Sequence, residues 1–411
     1  MLPPLSGVAI SQSVVQQDQV LLNDSLANQT INVVTVTGPV SSVATATGNS
    51  LTAATELGSL DIESTQSMPG NVTGNVSAVS HVLIGQSAGD VSSLAAATGN
   101  TIEGDSDNGG ALTGNLTQSA AATWTVKSET DFQAPAAQAT SATIASQAIA
   151  NSIGLNVTNA DSNVTTSQTN SAHIDAEGGS EVDGGSGATL DYTAGTVAYS
   201  TAAVANNLTG TGTGSSQTLN VTQTANGDLV QAAGFINVGE GQTVQGDATA
   251  TANNVAVIND TGPLVVANNQ ENDTNFTHAQ SVATDFQFGT GQATALGVGN
   301  SVLAGNQGPS TELDNTQVNT GGIQAQASFT GDNGFDATSS ATAMGNAAIG
   351  YACSQCGGVI SVNNSQVTSG GGVEADSSTT LTNTAGSARS ATGVATAVGN
   401  SATFYVSRPS N

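Results

Sequence analysis

Two cysteines three residues apart, Cys353 and Cys356 in YACSQC, are the most reactive pair in this 411-residue chain. A CxxC pair serves thiol exchange when it sits in a thioredoxin-like βαβ context, and serves zinc when two further Cys or His complete the tetrahedron. No βαβ pattern surrounds this pair, and the three histidines, His81, His173 and His278, stand far apart. The reading that fits is a local disulfide pinning a short loop, which implies an oxidising compartment. The acidic runs EGDSDNGG (103–110) and DAEGGSEVDGGSG (175–187) lack EF-hand spacing and the nonapeptide of calcium β-rolls. They read as solvated acidic turns. The sequence defends no Ser-His-Asp set, nucleotide loop or paired-carboxylate constellation. Catalytic, cofactor-binding and metal residues are accordingly expected to be none, and no cofactor is expected.

Composition narrows the function classes further. Thirty acidic residues stand against three basic ones (Lys127, Arg389 and Arg408), a net charge of −27. Neutralising phosphates takes several Lys and Arg, which excludes nucleic acid and electrostatic attachment to an anionic membrane. Charged residues are 8% and aromatics 3%, against roughly 25% charged in ordinary domains. Gly, Ala, Ser, Thr, Asn and Val dominate, so the interior is thin. Frequent β-branched residues and scarce proline favour strands over disorder. The first residues, MLPPLSGVAISQS, lack a charged n-region followed by an apolar h-region, so they are read as the start of an exported chain whose signal is gone. No apolar run reaches the roughly 18 residues of a membrane-spanning helix.

The elements that position these residues are repeats. VATATGNS, LAAATGNT, TALGVGNS, TAMGNA and TAVGNS recur, with looser copies SQAIANS, TAAVANN and TATANN. They anchor on Asn49, Asn100, Asn151, Asn206, Asn253, Asn300, Asn346 and Asn400, with gaps of 51, 51, 55, 47, 47, 46 and 54. A second marker is Gln66, Gln118, Gln168, Gln223, Gln270, Gln317 and Gln366, 17 to 20 residues after each of the first seven anchors; Gln16 fits an incomplete first copy. A third is apolar: Val72, Trp124, Ile174, Leu229, Phe276 and Ile323, six residues after Gln, and Val373, seven after. Period-two alternation follows, as in IQAQASF, which turns Ile323, Ala325, Ala327 and Phe329 to one face. The Ala-rich run at 138–154 matches strand-like counterparts and is read as strand.

Each copy is expected to hold three or four short strands joined by Gly, Asn and Asp turns. No copy can close a core alone, but stacked copies can. The fold class is therefore read as all-β: an elongated parallel β-solenoid, or β-helix, of about eight repeats of some fifty residues. A β-sandwich or propeller is the less fitting alternative. Asn and Gln at fixed positions would form amide ladders along the stack, about 4.8 Å per step. A single repeat domain would span residues 1–403, with 404–411 as a tail or cap holding Phe404, Tyr405 and Arg408. Sequons at Asn71, Asn75, Asn115, Asn156, Asn163, Asn207 and Asn220 read as repeat grammar.

The motifs VATATGNS, TALGVGNS and TAVGNSATF, with the acidic Thr/Asn/Gly/Ala composition, resemble holdfast anchor (attachment) protein D of stalked alphaproteobacteria. The Gly-Asn-Ser grammar also resembles trimeric autotransporter head repeats, whose period is much shorter. The first resemblance implies a non-enzymatic cell-surface adhesin or anchor, associated with the outer membrane and exported. It would attach adhesive polysaccharide through partner holdfast anchor proteins, with possible self-association through solenoid ends and no membrane span of its own. Two alternatives follow from the residues. One is a polysaccharide-active β-helix lyase or hydrolase, which three basic residues make hard to build. The other is an ice-binding array of Thr-x-Thr.

Overall fold

Alternating small-apolar and polar residues can bury one face only as extended chain, and Gly, Asn and Asp between the runs allow the corners. The computed structural model describes residues 12–134, 138–179, 193–353, 358–382 and 389–407, and its regular structure is all strand. In chain order the strands fall into successive segments. The first holds β1 (Gln12–Val20), β2 (Ser25–Thr35) and β3 (Val40–Thr55). The second holds β4 (Ser59–Met68) and β5 (Gly74–Asp107); the third, β6 (Ala111–Ala120), β7 (Trp124–Gln133) and β8 (Gln138–Thr158). The fourth holds β9 (Asp161–Asn170), β10 (His173–Gly179) and β11 (Thr193–Thr213); the fifth, β12 (Gln217–Ala225) and β13 (Leu229–Asn259). The sixth holds β14 (Leu264–Asn272) and β15 (Phe276–Asn306); the seventh, β16 (Ser310–Asn319) and β17 (Gly322–Cys353). The eighth holds β18 (Val359–Thr368), β19 (Val373–Leu381) and β20 (Ser390–Ser407).

Two parallel sheets result. The first runs β1-β4-β6-β9-β12-β14-β16-β18, so every segment adds one strand in chain order. The second takes the remaining strands. Where a segment is broken in two, both pieces pair with the undivided strand of a neighbour: β7 and β8 both lie on β5, and β10 and β11 both lie on β13. The pairings β5–β7–β10–β13–β11–β8 therefore close into a six-strand ring. Four of the eight segments hold three strands, within the three or four expected, and the other four hold two, one of them long. β13, β15 and β17 run 31, 31 and 32 residues through a corner without losing their pairing. Glycines there let neighbours approach: a Cβ on Gly334 would meet the Phe288 ring at 2.2 Å. The run 138–154 lies in β8, a strand.

The interior is thin, as the composition requires, and splits into two apolar columns. One is lined by Leu51, Leu60, Ile62, Ile102, Leu112 and their equivalents. The other is lined by Met68, Val76, Ala97, Trp124, Phe132, Phe329 and theirs. Trp124, 1% exposed, fits because its partner in β5 is Gly74: a Cβ there would meet the indole at 2.4 Å. The apolar marker after Gln resolves into neighbouring positions. Leu229 and Phe276 share one column, Trp124 stands one position before it, paired with Gly74, and Ile174, Ile323 and Val373 share the column one position after it with the buried Val230 and Thr277. Phe276 is consequently 49% exposed, since one residue of offset turns a strand's side chain to the other face. In β17, Ile323, Ala325, Ala327 and Phe329 all point inward.

Candidate functional site

Strand register places the anchor asparagines one above another. Asn49, Asn100, Asn151, Asn206, Asn253, Asn300, Asn346 and Asn400 are successive partners in the second sheet. Each donates from Nδ2 to Oδ1 of the next toward the C-terminal end, at 2.7–2.8 Å. The glutamines stack the same way in the first sheet, but their polarity is opposite. Gln66, Gln118, Gln168, Gln223, Gln270, Gln317 and Gln366 each donate from Nε2 to Oε1 of the preceding one, at 2.7–2.9 Å.

The second amide hydrogen ties each column to the opposite sheet. Asn206 donates to the Thr224 carbonyl, one residue after Gln223, at 2.9 Å. Gln223 donates to the Asn254 carbonyl, one residue after Asn253, also at 2.9 Å. The same exchange recurs at the other interior steps. Asn100 to Asn346 and Gln66 to Gln317 are fully buried. The two amide columns face each other between the sheets and form the wall that separates the two apolar columns.

The first member of the glutamine column is Gln19, where spacing pointed to Gln16. Gln19 pairs with Gln66 and accepts its Nε2 at 2.7 Å. The signal was available: 47 residues separate Gln19 from Gln66, the interval that recurs between Asn206, Asn253 and Asn300. A shorter asparagine column, Asn268–Asn315–Asn364, was missed because it spans only three segments; its amides join at 2.7 and 2.6 Å.

The remaining candidates scatter. Cys353 closes β17, where its carbonyl accepts from the Gly358 amide at 2.9 Å. Cys356 lies outside the described residues, and with it the proposed disulfide. Phe404 and Tyr405 continue β20, where the Tyr405 ring stacks on Tyr351 at 5.8 Å; Arg408 lies outside the described residues. The run 103–110 is mostly strand: β5 extends through Asp107, and only the corner at Asn108 and Gly109, with φ of 59° and 104°, is a turn. Alternation places Ser106 inward and Glu103 and Asp105 outward, so these residues belong to the strand. Of the second run, Asp175 to Gly179 lie in β10 and 180–187 lie outside the described residues.

β7 and β10 gather the densest charge. Lys127 Nζ lies 3.0 Å from Glu177, 3.1 Å from Glu129 and 3.8 Å from Asp175. Burial weakens the Lys127 ammonium, but Glu177 and Glu129 outweigh it and hold the proton above the ordinary lysine range. Burial, then repulsion from Glu177, pushes Asp175 up to about 6 despite Lys127. His81, in β5, holds Asp131 of β7 at 2.7 Å; His173 is in β10 and His278 in β15. The described residues hold no cluster of three or more His, Cys, Asp or Glu suited to a metal ion.

A family model described as holdfast attachment protein D matches residues 34–322. No curated protein and no solved structure matches the chain.

Proposed function

The chain belongs to the holdfast attachment protein D family, and on that premise we propose that it is a non-enzymatic anchor on the cell surface. It is an elongated β-solenoid of about eight repeats that holds an adhesive polysaccharide to the outer membrane through partner anchor proteins. The family carries the holdfast attachment role and a surface location. The physical reading concerns how such a chain transmits load.

An attachment element must keep its shape while pulled. Here each segment is tied to the next by in-register parallel strands and by two buried amide columns of opposite polarity. The amide exchange between the columns is the observation that carries the proposal, because it commits polar groups to rigidity at positions fully buried between the sheets. Among the described residues no helix is long and apolar enough to cross a membrane. The acidic surface keeps such chains apart from one another and from anionic lipid.

The test is a chromosomal deletion with complementation, measuring adhesive retained on cells against adhesive shed into the medium. Shedding restored by the full-length gene supports the proposal. Retention by the deletion strain refutes it. Release of new reducing ends from the adhesive by the purified chain would replace it with the enzymatic alternative.

A further inference from the structure

The outer surface of the corner shared by β13, β15 and β17 forms an open groove of about 880 Å³ that extends to Arg389, the residue before β20. Three partner residues, Glu240, Gln287 and Asn333, form a row along one side. A second row, Thr243, Thr290 and Asp336, runs parallel to it. Between them lies a narrow bed where Gly241 and Gly334 flank Phe288 on adjacent strands. Phe288 is 5% exposed and packs edge-on against Phe329 at 5.0 Å, so the bed is rigid. Phe335 stands in the groove wall, 42% exposed.

Successive members of each row are one strand apart, about 4.8 Å, which is close to the length of one hexose ring. Hydroxyls and carboxamides at that interval match a chain that offers hydrogen-bonding groups once per unit, and an exposed aromatic beside them suits the apolar face of a sugar ring. Charge selects within that class. The groove's one cation, Arg389, lies 4.8 Å over the Phe335 ring and 3.4 Å from the Asp336 carboxylate, so it is already engaged. Glu240 lines the groove, and the chain as a whole carries −27; an anionic polymer is repelled. A peptide adding as a strand needs a sheet edge, and these strands are paired on both sides.

We propose that this groove binds an uncharged glycan chain laid along the stacking direction across β13, β15 and β17. The inference rests on the attachment role proposed above and locates the contact with the polysaccharide on the chain itself.

The experiment titrates the full chain with two uncharged probes, cellohexaose and maltohexaose, with hexagalacturonate as the anionic control, by calorimetry. Binding of at least one uncharged probe is expected. Phe335→Ala should weaken it at least about tenfold and Gln287→Ala about three- to tenfold, the loss of a stacking face and of one hydrogen-bonding amide. Both side chains are exposed, and unchanged circular dichroism checks the fold. No binding of either uncharged probe, wild-type affinity in both variants, or tighter binding of hexagalacturonate overturns the proposal. In cells the two readings separate. If the double variant retains adhesive like wild type while the deletion sheds it, the groove is wrong and the anchor stands. If the deletion itself sheds nothing, the attachment role fails.

Discussion

Replacing Asn206 by alanine tests whether the amide columns hold the stack. Asn206 is fully buried, accepts from Asn151 at 2.8 Å, and donates to Asn253 at 2.8 Å and to the Thr224 carbonyl at 2.9 Å. Alanine orphans one N–H of Asn151, Oδ1 of Asn253 and the Thr224 carbonyl. At about 1–3 kcal/mol for each buried unpaired group, less what relaxation and water recover, the cost is roughly 3–6 kcal/mol. Asn400→Ala is the control: Asn400 is exposed and accepts from Asn346 and Thr368, which keep other acceptors in the Val367 carbonyl, Thr368 Oγ1 and the Gly399 carbonyl. It should cost about 1 kcal/mol or less. Stacked repeats open locally, so the readout is hydrogen exchange resolved by segment, supported by urea denaturation. Protection should fall in β8, β11, β12 and β13 and hold in β17. Equal costs for the two variants, or an Asn206→Ala protein with unchanged exchange in β11 and β13, would refute a structural role for the columns.

Gly74→Ala forces a methyl into the Trp124 ring, 2.4 Å away. Overpacking of this kind costs about 1–3 kcal/mol, and the fluorescence of Trp124, the chain's one tryptophan, should shift to the red. Asp285 is 1% exposed, and burial pushes it up to about 8 despite amides donated by Gln287 and Gly241. Its folded pKa lies above the unfolded one, so it favours folding less and less as pH rises from about 4 to about 8. Asp285→Asn should remove that slope: the stability of the variant relative to wild type should rise by several kcal/mol across that window, and parallel pH profiles would refute it. Lys127→Met leaves Glu129, Glu177 and Asp175 facing one another without their cation. A loss of about 1–2 kcal/mol that shrinks in high salt is expected from thermal melts at two ionic strengths.

The sequence carried the parallel, all-β character because strand register is written in it as spacing. Asn and Gln recur at matched intervals, and in a parallel stack an interval becomes a vertical neighbour. Insertions do not blur this: three extra residues separate Asn346 from Gln366, and Gln366 still pairs with Gln317. Where the chain offered no second copy to calibrate against, spacing misled. Gln16 and Gln19 both sit in β1, and only a choice of interval decides between them. The apolar marker failed for a related reason. A turn one residue longer moves the first inward position from six to seven after Gln, and Phe276 then faces out. The groove was not legible at all, because Glu240, Gln287, Asn333 and Arg389 share no motif and meet only through pairing across segments.

Opposed polarity explains why two different amides are used. A single column of amides aligned head to tail adds its dipoles, as a helix does, and would leave uncompensated donors at one end of the stack and acceptors at the other. The asparagine column donates toward the C-terminal end and the glutamine column toward the N-terminal end, so the two dipoles cancel over most of their length. The side chains differ in reach by one methylene, and each still touches the backbone of the opposite sheet one residue past its counterpart. Swapping types would break that geometry. Asn206→Gln would push its amide past the Thr224 carbonyl, and Gln223→Asn would fall short of the Asn254 carbonyl. Made together at one step, the two changes conserve total volume and total donors. If the columns were generic polar filler, the double variant would match wild type in stability. If reach sets the exchange, it should disrupt two cross-sheet bonds and four column bonds, and the exchange of β11 and β12 should rise while composition stays the same.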